Sequence, residues 1–174
     1  VIGPASETAA PDTYAVTSTD PSTGFTIVLG TANDLTNRNS GEPSPGSAVL
    51  QLVAKSSIRT RVITLRIPIT EDRTKFIGTI DAEAAAILLA KVEMVKAGGV
   101  DSHSYKLAAA LDRSIRRLIS HQPPLLSVAS LLFGLRRGPL VEAHVGLDEA
   151  LVLRSIFQRS ECTMSSLMLA PRGF

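Results

Sequence analysis

The sequence predicts an α+β protein in which extended segments come first and helices follow. Three observations predict it. Ahead of residue 70, β-branched runs alternate with stretches rich in Pro, Gly, Ser and Asn. Beyond that point, apolar residues recur at helical spacing. Two Gly-Gly and Pro-Pro interruptions, at Gly98–Gly99 and Pro123–Pro124, then punctuate the helical part.

Taken in order, "TYAVTS" over 13–18 and "GFTIVLG" over 24–30 read as strands around "TDPST", whose Asp-Pro opens a turn. "NDLTNRNSGEPSPGS" over 33–47 is too polar and too rich in turn residues to be an element. "AVLQLVAK" and "TRVITLRI" are joined by the four residues "SSIR" and read as an antiparallel hairpin. In it Leu50 and Leu52 share one face, with Val49 and Val53 opposite. On the second strand Arg61, Ile63, Leu65 and Ile67 oppose Val62, Thr64 and Arg66. Pro68 lacks a ladder donor and limits the continuation.

Asp81 is placed to cap a helix over "AEAAAILLAKVEMVKA", with Ala85, Leu88, Leu89, Val92 and Val95 as its expected apolar stripe. Lys96 in the last turn and Gly98 and Gly99 beyond it suit the carbonyl end. A second helix starts near 101–104. It turns Leu107, Ala108, Leu111, Ile115, Leu118 and Ile119 inward and Asp112, Arg113, Arg116 and Arg117 outward, with Asp112 and Arg116 at ion-pair spacing. "LSVASLLFGLRR" buries Val128, Leu131, Leu132 and Leu135. A fourth helix begins at Asp148 and carries Leu151, Val152, Ile156 and Phe157, and "SSLMLA" is expected to return to strand. No internal repeat is visible.

Composition narrows the function. The 174 residues are 44% hydrophobic, enough for a real core, and no apolar run reaches the roughly 18 residues of a membrane span. Eighteen basic against sixteen acidic residues leave a net charge of +2, too small to argue for nucleic acid by itself. With no Trp, two Tyr and five Phe, base-stacking platforms are scarce, so no nucleic acid is expected as a partner. Cys162 is the only cysteine, which excludes an internal disulfide and a multi-cysteine metal knuckle. His103, His121 and His144 lack ligand spacing. Asp81 with Glu83, and Asp148 with Glu149, read as helix-start carboxylates. Neither a phosphate-binding glycine loop nor a nucleophile elbow occurs, and no cofactor, metal or catalytic residue is expected. The chain begins at Val1 rather than Met and is expected to be an excerpt of a longer polypeptide.

Five arginines are the candidates for contact with a partner: Arg113, Arg116 and Arg117 on the second helix, and Arg136 and Arg137 at the end of the third. Cations at a helix C-terminus meet the negative end of its dipole, so the adjacent pair reads as a helix stop. The alternative is a phosphate or GTPase contact, since a guanidinium forks onto phosphate oxygens. The basic run on the second helix is a solvated face or, less simply, a nucleic-acid stripe.

Several stretches, in order along the chain, resemble the inner-coat GTPase-activating subunit family of the COPII vesicle coat and its sister cargo-adaptor family. They are "TDPSTGFTIVL", "AVLQLVAKSSIRTRVITL", "IDAEAAAILLAK", "LDRSIRRL", "FGLRRGPLVEA" and "DEALVLR". "LRIPITEDRTKFIGTID" is similar to the sister subunit's hairpin exit. Ala110 stands where the family usually has Trp before Leu-Asp-Arg, and "HVGL" replaces its Asn-Asn-Ser-Pro.

The resemblance implies a β-sandwich portion over 1–70, an all-helical domain over 71–160 and the entry to a gelsolin-like domain over 161–174. It implies a scaffolding part of a coat subunit in ER-to-Golgi vesicle formation, cytoplasmic and peripheral on ER-derived membranes. The implied partners, met through the full-length parent, are a Sar-type small GTPase, the cargo-adaptor subunit and outer-coat proteins. The family's GTPase-stimulating arginine would lie beyond Phe174, so Arg136 and Arg137 are not that residue, and this segment is not expected to be an enzyme.

Overall fold

The computed structural model describes residues 1–16, 20–29, 46–70, 72–121, 123–141 and 147–169. Most of the polar stretch over 33–47 lies outside them. The α+β class holds: among the described residues the strands form two two-stranded antiparallel ladders, and six helices follow. The chain divides into two compact units, one of Val1–Val28 with Ile80–Phe174 and one of Leu29–Thr79.

The smaller unit contains β3 (Ser47–Lys55), β4 (Thr60–Pro68) and α1 (Arg73–Gly78). The expected antiparallel hairpin forms, and the structure supplies its register. Leu50 faces Leu65 and Leu52 faces Ile63 on one side, while Val49 faces Arg66 and Val53 faces Val62 on the other. Pro68 closes the ladder opposite Ser47. The turn is tied by Ser56, whose N–H donates to the Arg59 carbonyl at 2.8 Å and whose hydroxyl accepts from the Arg59 N–H at 3.0 Å. Every residue of β4 is exposed, so the ladder buries neither face. Helix α1 is an element the periodicity does not reveal; Asp72 caps it by accepting from the N–H groups of Thr74 and Lys75.

The larger unit contains β1 (Ser6–Glu7), β2 (Tyr14–Ala15), α2 (Ala82–Lys96), α3 (Ser104–His121), α4 (Leu126–Arg136), α5 (Leu147–Arg159) and α6 (Cys162–Ser166). A single 3-10 turn, Pro123–Leu125, leads into α4. Asp81 caps α2 as expected, its carboxylate accepting from the Ala84 N–H at 3.0 Å. At the other end the N–H of Gly99 reaches the Met94 carbonyl and that of Gly98 reaches Val95, with both glycines at positive φ. That pair of bonds satisfies carbonyls the helix leaves open, in a conformation residues with a Cβ resist.

The core lies among α2, α3 and α4, closed by Phe157 of α5 and Leu169 after α6. Ile87, Met94, Leu107, Leu111, Leu132 and Leu135 fill it, and Ala86, Ala90, Ala110 and Ala129 keep the helices close.

Four expectations need correction. Helix α2 buries Ala86, Ile87, Ala90 and Met94 rather than the predicted stripe, leaving Leu88 and Val95 exposed. It is apolar on nearly all sides, so spacing alone does not select a face. Ile119 of α3, and Val152 and Ile156 of α5, are exposed, while Ala150 and Phe157 hold the inward positions of α5. Over 24–29 no strand forms: Thr26 bridges Ile2, and Thr23 just ahead of the stretch bridges Ser160. Over 165–169 the chain does not return to strand; α6 ends at Ser166 and a turn carries the chain to Leu169, the Met168 N–H donating to the Ser165 carbonyl.

Candidate functional site

The five predicted arginines lie on two helices of the larger unit. Arg113, Arg116 and Arg117 are exposed on α3. Arg136 leaves the end of α4 half-buried and forms an ion pair with Asp112 of α3, Nε to Oδ1 at 3.3 Å. Asp112 is therefore committed to a neighbouring helix and not to Arg116 on its own. Arg137 is the C-cap residue of α4, with its guanidinium 5.6 Å from the ring centre of Phe133 one turn back. The adjacent pair thus ends a helix and braces it against α3.

Sequence reasoning missed the two cations that matter most to the packing. Arg154 of α5 is fully buried. Its Nε donates to the Leu140 carbonyl at 2.8 Å, its Nη1 to the carbonyls of Ser102 and Val100, and its Nη2 to the Ser104 hydroxyl at 2.7 Å. One side chain therefore pins α5 to the α2–α3 loop, the start of α3 and the chain leaving α4. Burial lowers its pKa from the ordinary arginine value, but the acceptors around the planar fork keep the charge tolerable.

Lys91 of α2 is also buried, and its ammonium donates to the Ser160 carbonyl at the α5–α6 junction, 5.7 Å from the centre of the Phe157 ring. Desolvation lowers its pKa, and the nearby Cys162 and Glu161 oppose that shift. A signal for both was present: Lys91 falls between Ile87 and Met94, and Arg154 between Ala150 and Phe157, each at inward helical spacing.

The Asp-Pro turn docks on the same junction. The Asp20 carboxylate accepts from the N–H and hydroxyl of Ser22, bonds that hold its pKa below the usual carboxylate value. The Glu161 N–H then donates to the Ser22 carbonyl at 2.9 Å, and the Gly24 N–H to the Arg159 carbonyl at 2.8 Å. A Cβ at Gly24 would stand 2.6 Å from the Glu161 Cα, so only glycine permits this approach.

Other chemistry is sparse. Among the described residues no group of His, Cys, Asp and Glu is arranged to hold a metal, and no helix is long and apolar enough to cross a membrane. His103 stacks edge-on against Tyr105, and His144 and the side chain of His121 lie outside the described residues. An open groove of about 310 Å³ is lined by Gly3, Ser6, Ala15, Ser155, Gln158 and Arg159, without a nucleophile beside a base.

The polar braces fall inside the segments that resemble the coat family: Asp20, Asp81 and Lys91, Asp112 and Arg136, and Arg154. Protein transport protein SEC23 A of Arabidopsis thaliana is 31% identical over 127 residues. By this match the chain is a divergent SEC23-like relative. The matched region is 65% of this chain and 14% of the plant protein, so the chain spans only a small part of that relative's length. No family model matches the chain, and no solved structure matches it.

Ala110 of α3 is fully buried, where a small side chain lets the helices approach closely.

Proposed function

We propose that this chain is a bracing portion of an inner-coat-like subunit in ER-to-Golgi vesicle formation, working in the cytoplasm on the surface of ER-derived membranes. Its task is to hold the neighbouring domains of a longer parent in a fixed relation. In this reading the hairpin unit belongs to a β-sandwich completed by other parts of the parent, and the chain continues toward a gelsolin-like domain. GTPase stimulation resides outside the segment. The parent meets a Sar-type small GTPase, a cargo-adaptor subunit and outer-coat proteins.

The observation that carries the proposal is where the resembling residues sit. Asp112, Arg136 and Arg154 tie helices together, and Asp20 and its turn tie the start of the chain to the α5–α6 junction. Residues used this way preserve a shape rather than perform a reaction. The exposed Arg113, Arg116 and Arg117 are then the surface offered to a coat partner.

Assembly on liposomes tests this. The full-length parent, mixed with GTP-loaded Sar-type GTPase and the cargo-adaptor subunit, is expected to co-sediment as a ternary complex, and failure to assemble overturns the coat reading. Replacing Arg113 and Arg116 together by Ala is expected to weaken assembly without lowering the melting temperature.

A second reading follows from Ala110 and from "HVGL": a divergent paralogue serving as a structural subunit of another large complex. Co-purification from cells separates the two, since vesicle-coat partners support the first and an unrelated complex the second.

A further inference from the structure

The hairpin has a charge pattern of its own. Residues 46–70 include Lys55, Arg59, Arg61 and Arg66 and no acidic residue, although the chain as a whole is nearly balanced. Three of these cations gather at the turn. Lys55 ends β3, Arg59 lies in the turn, and Arg61 follows one step along β4. Between them projects Ile58, 86% exposed, the most exposed large apolar residue among those described. The turn is not slack: the Ser56 hydroxyl accepts from the N–H groups of both Ile58 and Arg59 and donates to the Arg59 carbonyl, so the isoleucine is held outward.

The arrangement around the tip selects the partner. Lys55 lies on the face of Val53 and Val62, while Arg61 lies on the face of Leu52 and Ile63. A ligand seated on one side of the ribbon cannot engage both. A plane met end-on can, with the cations at its charged surface and the aliphatic knob pressed deepest.

We propose that the β3–β4 turn is a contact for an anionic lipid surface, Ile58 entering the apolar boundary while Lys55, Arg59 and Arg61 engage lipid phosphate and carboxylate groups. This gives the membrane association of the coat reading a place and a lipid class, and in that respect rests on it. The two fail separately, because this test uses the 174-residue chain alone and coat assembly uses the parent.

Flotation with vesicles decides it. The chain is expected to float with phosphatidylcholine vesicles containing about one-third phosphatidylserine and to stay behind with phosphatidylcholine alone, with binding falling as salt rises. Ile58→Ser is expected to weaken the anionic binding about tenfold, and the double variant Lys55→Glu, Arg59→Glu to weaken it more than about tenfold. Both changes sit in a solvated turn, and an unchanged melting curve checks that the fold survives. Absence of flotation with anionic vesicles overturns the proposal. So does equal binding by Ile58→Ser and the unsubstituted 174-residue chain, which would mean charge adsorption without insertion. Tighter binding of a soluble poly-glutamate peptide than of the vesicles also overturns it, assigning the tip to an acidic protein.

Discussion

The helical unit and the hairpin unit use similar residues to opposite ends. Both contain Leu, Ile and Val in quantity, and both contain arginines. In the helical unit the aliphatic side chains close upon one another, and the cations inside them are supplied with carbonyl acceptors. In the hairpin, a ladder two strands wide among the described residues, Leu50 and Leu52 are half-buried and the other aliphatic side chains of the strands stand in solvent. Two strands have too little surface to bury a core, whereas three helices with an apolar stripe each have enough. The difference teaches where stability resides: one unit carries its own, and the other presents surface.

The largest test of that division is Arg154→Met. It removes the guanidinium from four acceptors, three of them backbone carbonyls. The expected loss is about 3 kcal/mol of unfolding free energy, measured by urea denaturation followed by far-UV circular dichroism. A loss below about 1 kcal/mol would mean that water replaces the clamp at little cost.

Gly24→Ala comes next, since its new methyl group meets backbone that cannot swing aside. A loss of about 2 kcal/mol is expected, and hydrogen exchange should locate it at the amides of Gly24 and Glu161, which make the docking bonds.

Lys91→Met sharpens the comparison by its sign. A buried ammonium replaced by an apolar side chain of similar length is expected to be neutral or stabilising by about 1 kcal/mol near pH 7. In the folded chain the Lys91 pKa lies below its ordinary value of 10.5. The unfolded chain therefore binds the proton more readily, and the parent gains stability as pH rises from the folded value toward 10.5. The advantage of the methionine variant should shrink over that window in paired melting curves.

Asp112→Asn breaks a partly exposed ion pair, and a loss of at most about 1 kcal/mol is expected, smaller still in high salt. Smallest of all is Val62→Thr on the hairpin. Its side chain is already in solvent, so a shift within about 0.5 kcal/mol is expected, with the helical unit's melting unmoved. A large fall there would show the hairpin to be stabilising what it was taken only to accompany.

How far the sequence could be read differed between the same two units. The four-residue turn between Lys55 and Thr60 made the hairpin legible, and the two-residue period of each strand gave the positions that share a face. In α3 charged residues mark the outward side, and Leu107, Leu111 and Ile115 lie inward as expected. In α2 almost every position is apolar, so the choice between Leu88 and Ile87 fell to the packing of α3 and α4. Hydrophobic patterning also treats a cation as a surface residue, which is why Lys91 and Arg154 passed as ordinary despite their inward spacing. The braces of Asp20 and Asp112 depend on contacts between distant parts of the chain, and no local window contains them.

The pairing of Thr23 with Ser160 has a consequence for biogenesis. On a ribosome, α2, α3 and α4 can meet as soon as they emerge, since they are neighbours in sequence. The segment around Thr23 must wait, undocked, until α5 and the start of α6 have been synthesised, because the carbonyl and amide groups it grips belong to Arg159 and Glu161. Docking of that segment thereby follows the packing of the three helices, and a nascent chain stalled before Arg159 would display it unanchored to chaperones and proteases.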